Sequence, residues 1–141
     1  MTDAAPRAGA CHCGAVRFTV ALSDGLTTAR RCDCSFCAMR GAVAVSARVG
    51  DLAIERGDDV LTQYTFNTHT AQHFFCSICG IYTHHRRRSN PDELGVNLAC
   101  LSGQTPFLPE VPVRDGQNHP TDTTGTKQAG ALRFTPVQEA P

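Results

Sequence analysis

The sequence predicts a single all-β domain, and three observations carry that expectation. Apolar residues alternate in short runs separated by turn signals, the pattern of half-buried strands. No stretch keeps an i, i+3, i+4, i+7 pattern over three turns, so no long helix is expected. The third observation is a shortage. Val, Leu, Ile and Phe number 10, 9, 3 and 7 among 141 residues, and there is no Trp. About a fifth of the chain in large apolar groups lies near the lower edge for a self-sufficient core. Eight cysteines offer the missing stabilisation, through metal or disulfides.

Taken in order, residues 1–9 read as a loose leader and residues 10–115 as the folded domain. Val16, Phe18 and Val20 alternate in a first strand, closed by the turn signal Asp24-Gly25. Residues 26–31 read as a second strand leading into a cysteine cluster. A short helical turn is expected over Phe36 to Met39. Ala42 to Val49 alternates as a third strand, and Leu52-Ala53-Ile54 as a short fourth, ended by Arg56-Gly57-Asp58-Asp59. Val60 to Phe66 carries apolar or aromatic residues at 60, 64 and 66. Gln72 to Phe75 enters a further cysteine pair and Ile81 to His84 leaves it. Leu94, Val96, Leu98 and Cys100 alternate in a strand running to Leu101. Residues 116–141, rich in Thr, Gly, Gln and Pro, read as a C-terminal tail, with Arg133 to Val137 as a further edge segment.

Charge excludes several partner classes. Lys+Arg and Asp+Glu both number 13, so the formal net charge is zero. A dominant electrostatic partner, bulk nucleic acid or an acidic membrane surface, is not expected. No apolar run approaches the roughly 20 residues that span a bilayer. Met1-Thr2-Asp3-Ala4-Ala5-Pro6-Arg7 carries an early acid and no apolar segment follows it, which is unlike a secretory signal. The expected compartment is therefore the reducing cytoplasm, where clustered cysteines more often bind metal than form disulfides.

Seven of the eight cysteines fall in three groups: Cys11-His12-Cys13-Gly14, Cys32-Asp33-Cys34-Ser35-Phe36-Cys37 and Cys76-Ser77-Ile78-Cys79-Gly80. In the first and third, a close Cys pair is followed at once by Gly. That residue of a zinc knuckle often needs positive φ, which glycine takes without steric cost. Four thiolates suit a closed, tetrahedral structural zinc site. Such a site ties distant parts of the chain and turns metal affinity into folding free energy. The middle group has three cysteines and no flanking glycine. Three protein ligands leave one coordination position open, the mark of catalytic zinc. Cys100 either stands alone in the apolar alternation or closes the second site as a fourth ligand.

The combination of C-x-C-G before an alternating strand, C-x-C-x-x-C some 20 residues on, and F-C-x-x-C-G resembles the glutathione-dependent formaldehyde-activating family, which includes the centromere protein V relatives. The resemblance covers roughly residues 10 to 115. It implies a zinc-stapled, two-sheet β-tent fold and two zinc ions per chain. Cys11, Cys13, Cys76 and Cys79 would hold the structural ion, and Cys32, Cys34 and Cys37 the catalytic one. It also implies a carbon–sulfur lyase-type reaction on a small thiol–aldehyde adduct like S-hydroxymethylglutathione, with glutathione as the thiol and formaldehyde as the aldehyde. The alternative is a non-catalytic zinc-binding module of the same fold that contacts other proteins.

Other residues are weighed singly. Arg30, Arg31 and Arg40 flank the middle cluster and could offset its negative charge; each could equally be a solvated surface arginine. His84-His85-Arg86-Arg87-Arg88 reads first as an exposed basic loop and second as a patch gripping the carboxylates of a glutathione-like thiol. His12 reads as a spacer. His69 and His73 would bind metal together only on a helix, which is not expected there. Asp33 reads as a residue capping backbone N–H groups rather than a proton acceptor.

Overall fold

The computed structural model describes residues 5–88, 90–116 and 127–137. The large sheet has seven strands, in the order β1-β2-β4-β8-β7-β6-β5. These are β1 (Arg7–Ala10), β2 (Arg17–Leu22), β4 (Ala44–Arg56), β5 (Leu61–Tyr64), β6 (Gln72–Cys76), β7 (Tyr82–Arg86) and β8 (Glu93–Asn97). The small sheet orders β10 (Gln128–Arg133), β9 (Glu110–Arg114) and β3 (Arg31–Cys32). One short helix, α1 (Ser35–Arg40), follows β3. The structure is therefore nearly all-β, as the alternation predicts, and in two sheets, as the family resemblance implies.

The core forms where alternating residues face inward. Phe18, Val20 and Leu22 from β2 pack with Val45 and Ala47 from β4 and Val96 from β8. Val111 from β9 joins the same cluster and fastens the small sheet to the large one. At ~25 cal/mol per Å² of apolar surface buried, such side chains each contribute about 1.5–3 kcal/mol.

Several elements differ from the sequence expectation, each for a local reason. Arg7–Ala10, read as mostly leader, forms an edge strand on β2. Gly9 allows it, because a Cβ there would sit 2.4 Å from the Phe18 ring. Of residues 26–31, only Arg31 joins a strand; Thr27 and Ala29 instead donate backbone N–H groups to Asp24 and Leu26 in consecutive turns. The two runs at 42–49 and 52–54 are one strand, β4. Gly50, at φ 101°, bends it without breaking it. Its first half pairs with β8 and its second with β2, so the strand changes pairing partner along its length.

The strand at 94 stops at Asn97 rather than Leu101, because the Asn97 side chain accepts from Ala99 N (3.1 Å) and starts a 3-10 turn over Leu98–Cys100. β9 has no clear sequence signal, since Pro112 argues against a strand. The last edge strand lies at Gln128–Arg133, upstream of the expected 133–137, where Pro136 has no N–H to give a ladder. The rest of the expected tail, residues 117–126 and 138–141, falls outside the described residues.

Candidate metal centres

Two groups of sulfurs converge. Cys11, Cys13, Cys76 and Cys79 bring their Sγ atoms within 4.8 Å of one another. Tetrahedral sulfurs about 2.3 Å from a zinc ion lie roughly 3.8 Å apart. The Cys11–Cys13 and Cys13–Cys76 separations are 3.6 and 3.8 Å. The two knuckles are built alike. Cys11 N donates to Val16 O (3.1 Å) and Cys76 N to Ile81 O (3.0 Å). Gly14 and Gly80 then take φ of 79° and 78°, as their sequence positions require. Val16 N and Ile78 N point at Cys11 Sγ and Cys76 Sγ, at 3.3 and 3.4 Å. The Cys13 backbone N–H, chief among the donors at Cys79, brings its thiol down to about 6. Because β1–β2 and β6–β7 lie on opposite sides of β4 and β8, this group joins hairpins that are not sheet neighbours.

Cys32, Cys34 and Cys37 also bring their sulfurs within 4.8 Å, at the end of β3 and the start of α1. Each sulfur receives a donor from the same short segment. Cys34 N donates to Cys32 Sγ (3.5 Å) and Cys37 N to Cys34 Sγ (3.4 Å), the latter as the helix cap. Arg40 donates to Cys37 Sγ at 3.5 Å. The Cys32 and Cys37 thiols, both donating to Cys34, pull its thiol far below the ordinary range. Cys34 in turn pushes the Cys32 thiol up, and Cys32 and Cys34 together push the Cys37 thiol up. Thiolates supplied with N–H and guanidinium donors suit a soft divalent metal, and either group could hold zinc. Cys100 belongs to neither: it is buried, its Sγ lies 3.5 Å from Tyr82 O, and burial pushes its thiol up to about 12.

The groups differ in surroundings. In the first, Cys11 and Cys76 are buried against Val16, Cys79 is half-buried and Cys13 is exposed, whereas Cys32, Cys34 and Cys37 are all half-buried and line a cavity of about 700 Å³. One wall is aromatic. Phe36 from α1 meets His73 (4.4 Å between centroids), and His73 stacks on His85 (5.2 Å). Arg40 lies 3.8 Å over the Tyr82 ring and donates to His73 Nδ1 at 2.9 Å. Burial, with Arg40 beside it, lowers His73 to about 4, so it stays neutral.

Of the flanking arginines, Arg40 sits on the sulfur group, and Arg30 and Arg31 line the cavity. Arg30 is only 9% exposed, and burial first, then the Arg87 charge, lowers it to about 10. The run from His84 to Arg88 is not an exposed loop. Its first three residues lie in β7, His84 is buried against Phe74, and Arg87 pairs with Glu93. His85, Arg87 and Arg88 line the same cavity. Asp33 caps a backbone N–H as expected, but that of distant Gly116 (2.8 Å) rather than of a local turn. His12 and His69 are exposed and join neither sulfur group. Gly116 and the aromatic wall have no sequence signal, because their partners lie far along the chain. A Cβ at Gly116 would stand 2.2 Å from Cys32 Sγ.

No helix among the described residues is long and apolar enough to cross a membrane. A crystal structure of a Rhodobacter sphaeroides protein is 60% identical, with a TM-score of 0.69, the match covering 70% of this chain and 91% of that one. The family model described as glutathione-dependent formaldehyde-activating enzyme matches residues 6–115, the span that holds both sulfur groups and every strand but β10. By that match the chain belongs to the glutathione-dependent formaldehyde-activating family.

Proposed function

We propose that this chain is a zinc-dependent carbon–sulfur lyase-type enzyme acting on the adduct of a small thiol, glutathione or a close relative, with a small aldehyde. Cys11, Cys13, Cys76 and Cys79 would hold a structural zinc, and Cys32, Cys34 and Cys37 a catalytic one. The observation that carries the reading is the contrast between the groups: the three-sulfur group lines the cavity, and the four-sulfur group, with Cys11 and Cys76 buried and Cys13 exposed, does not. Family membership supports glutathione and formaldehyde as the reactants.

Zinc at the open group would supply a Lewis-acidic position that favours the thiolate form of an incoming thiol. The chain's own residues do the rest. Three sulfurs from one short segment fix a common centre at the cavity wall. The Arg40 guanidinium offsets negative charge at Cys37 and is itself held by Tyr82 and His73. The half-buried wall keeps bulk water from part of the site, which strengthens each of these contacts. In adduct formation a C–S bond forms, the thiol loses its proton and the aldehyde oxygen gains one; cleavage is the reverse. A reducing cytoplasm would keep the clustered thiols available for metal.

The test is exchange NMR on glutathione and formaldehyde with catalytic amounts of zinc-loaded protein. Accelerated exchange is expected for the wild type and not for a folded Cys34→Ser variant that has lost one zinc. A wild type that binds two zinc ions and leaves exchange at its spontaneous rate would instead be a zinc-stapled binding module.

A further inference from the structure

The cavity is richer in positive charge than the chain around it. Six of its lining residues are arginines and three are carboxylates, Asp24, Glu93 and Asp115, in a protein of zero formal net charge. Glu93 is already engaged: it pairs with Arg87 and accepts from Ser46 Oγ at 3.2 Å. Arg30 is the deepest puzzle. It is 9% exposed, and its Nη1 donates to Ser46 Oγ (3.0 Å) and to the carbonyls of Thr28 and Ala44 (both 3.3 Å). These partners are all neutral, and among the described residues Arg30 makes no ion pair. Its attraction to Glu93 is relayed through Ser46 and shared with Arg87, so burial of this cation is only partly offset, whereas a desolvated guanidinium–carboxylate contact is among the strongest available to a ligand. Arg30 also stands two residues before Cys32, at the approach to the sulfur group.

We infer that Arg30 is a carboxylate-binding residue of this cavity, and that one of the two reactants brought to Cys32, Cys34 and Cys37 carries a carboxylate that it engages. The inference rests on the thiol–aldehyde reading and deepens it, because it makes Arg30 a specificity residue. The chemistry is the same whether the carboxylate belongs to the thiol, as in glutathione, or to the aldehyde, as in a 2-oxo acid. The guanidinium fork matches either, and a neutral ligand of the same size leaves the charge unpaired.

The test is calorimetric titration of zinc-loaded protein with four probes: glutathione, glutathione diethyl ester, glyoxylate and ethyl glyoxylate. The wild type is expected to bind at least one acid more tightly than its ester. Arg30→Gln should weaken that acid by about tenfold to a hundredfold and leave the ester within about twofold. Selectivity in the glutathione pair assigns the carboxylate to the thiol, and selectivity in the glyoxylate pair assigns it to the aldehyde. Equal losses for acid and ester would show a merely structural arginine and overturn the inference. So would a wild type that binds neither acid or does not distinguish acid from ester. Should Arg30→Gln fail to fold, Arg30→Lys, which keeps the charge and loses the fork, replaces it and is expected to retain part of the selectivity; full retention of binding for acid and ester alike would overturn the inference. Acid selectivity that depends on Arg30 in a protein without exchange activity would uphold the carboxylate site and sink the lyase reading. Exchange activity with selectivity indifferent to Arg30 would do the reverse.

Discussion

The four-sulfur and three-sulfur groups use the same donor atom and the same backbone N–H support, yet only one of them lines a cavity. The first takes ligands from two hairpins 63 residues apart, with Cys11 and Cys76 buried beside Val16 and Cys13 exposed. The second takes all its ligands from residues 32–37 and stands half-buried at a cavity wall between the two sheets. Long-range closure would make a metal held by the first a staple, because it would remove much of the unfolded chain's freedom. Local closure makes the second nearly irrelevant to chain entropy. It is free to serve chemistry instead. Sulfur count, sequence separation and access to the cavity all separate them.

That contrast can be broken most forcefully at Cys76, which is fully buried. Cys76→Ser should cost more than about 4 kcal/mol, the scale of a lost structural metal. Since domains of this size hold only about 5–15 kcal/mol, thermal unfolding should find the variant largely unfolded at 37 °C. A cooperative melt near that of the wild type would mean the four-sulfur group is no staple.

Cys34→Ser probes the other side. Elemental analysis should fall from two zinc ions per chain to one, with exchange activity lost and the melting temperature lowered by less than about 5 °C. Unfolding as severe as that of Cys76→Ser would erase the distinction.

Gly116→Ala sharpens it without replacing a ligand. The new Cβ would press on Cys32 Sγ and the Cys34 backbone. Affinity for the second zinc, read by chelator competition, should weaken by about tenfold to a hundredfold, while the first is unaffected. Equal weakening at both would couple the sites. The smallest effect is expected at Cys100. Cys100→Ala should leave two zinc ions bound and cost about 1 kcal/mol of packing, measured by denaturant unfolding. Loss of a zinc would return Cys100 to the second site as its fourth ligand.

Much of this was legible before any coordinates. Both knuckles, the positive-φ glycines after them, the short helix after Cys34 and most strands follow from spacing and alternation over a few residues. What was not legible is instructive residue by residue. Arg30 is indistinguishable from a surface arginine until β4 covers it with Ala44 and Ser46. The His84-to-Arg88 run looks basic and exposed because composition does not report that Phe74 stacks on His84 or that Glu93 meets Arg87. Gly116 lies in a stretch of tail-like composition, yet its missing side chain makes room for Cys32.

The sequence by itself determined which atoms can bind metal and how each knuckle turns, because a C-x-C or C-x-x-C spacing and a following glycine act within one turn of backbone. Only the tertiary structure decided where the cavity lies, which sulfur group lines it, and which arginine is stripped of water beside it. Burial and electrostatic surroundings are set by residues distant along the chain, and no local pattern records who those neighbours are.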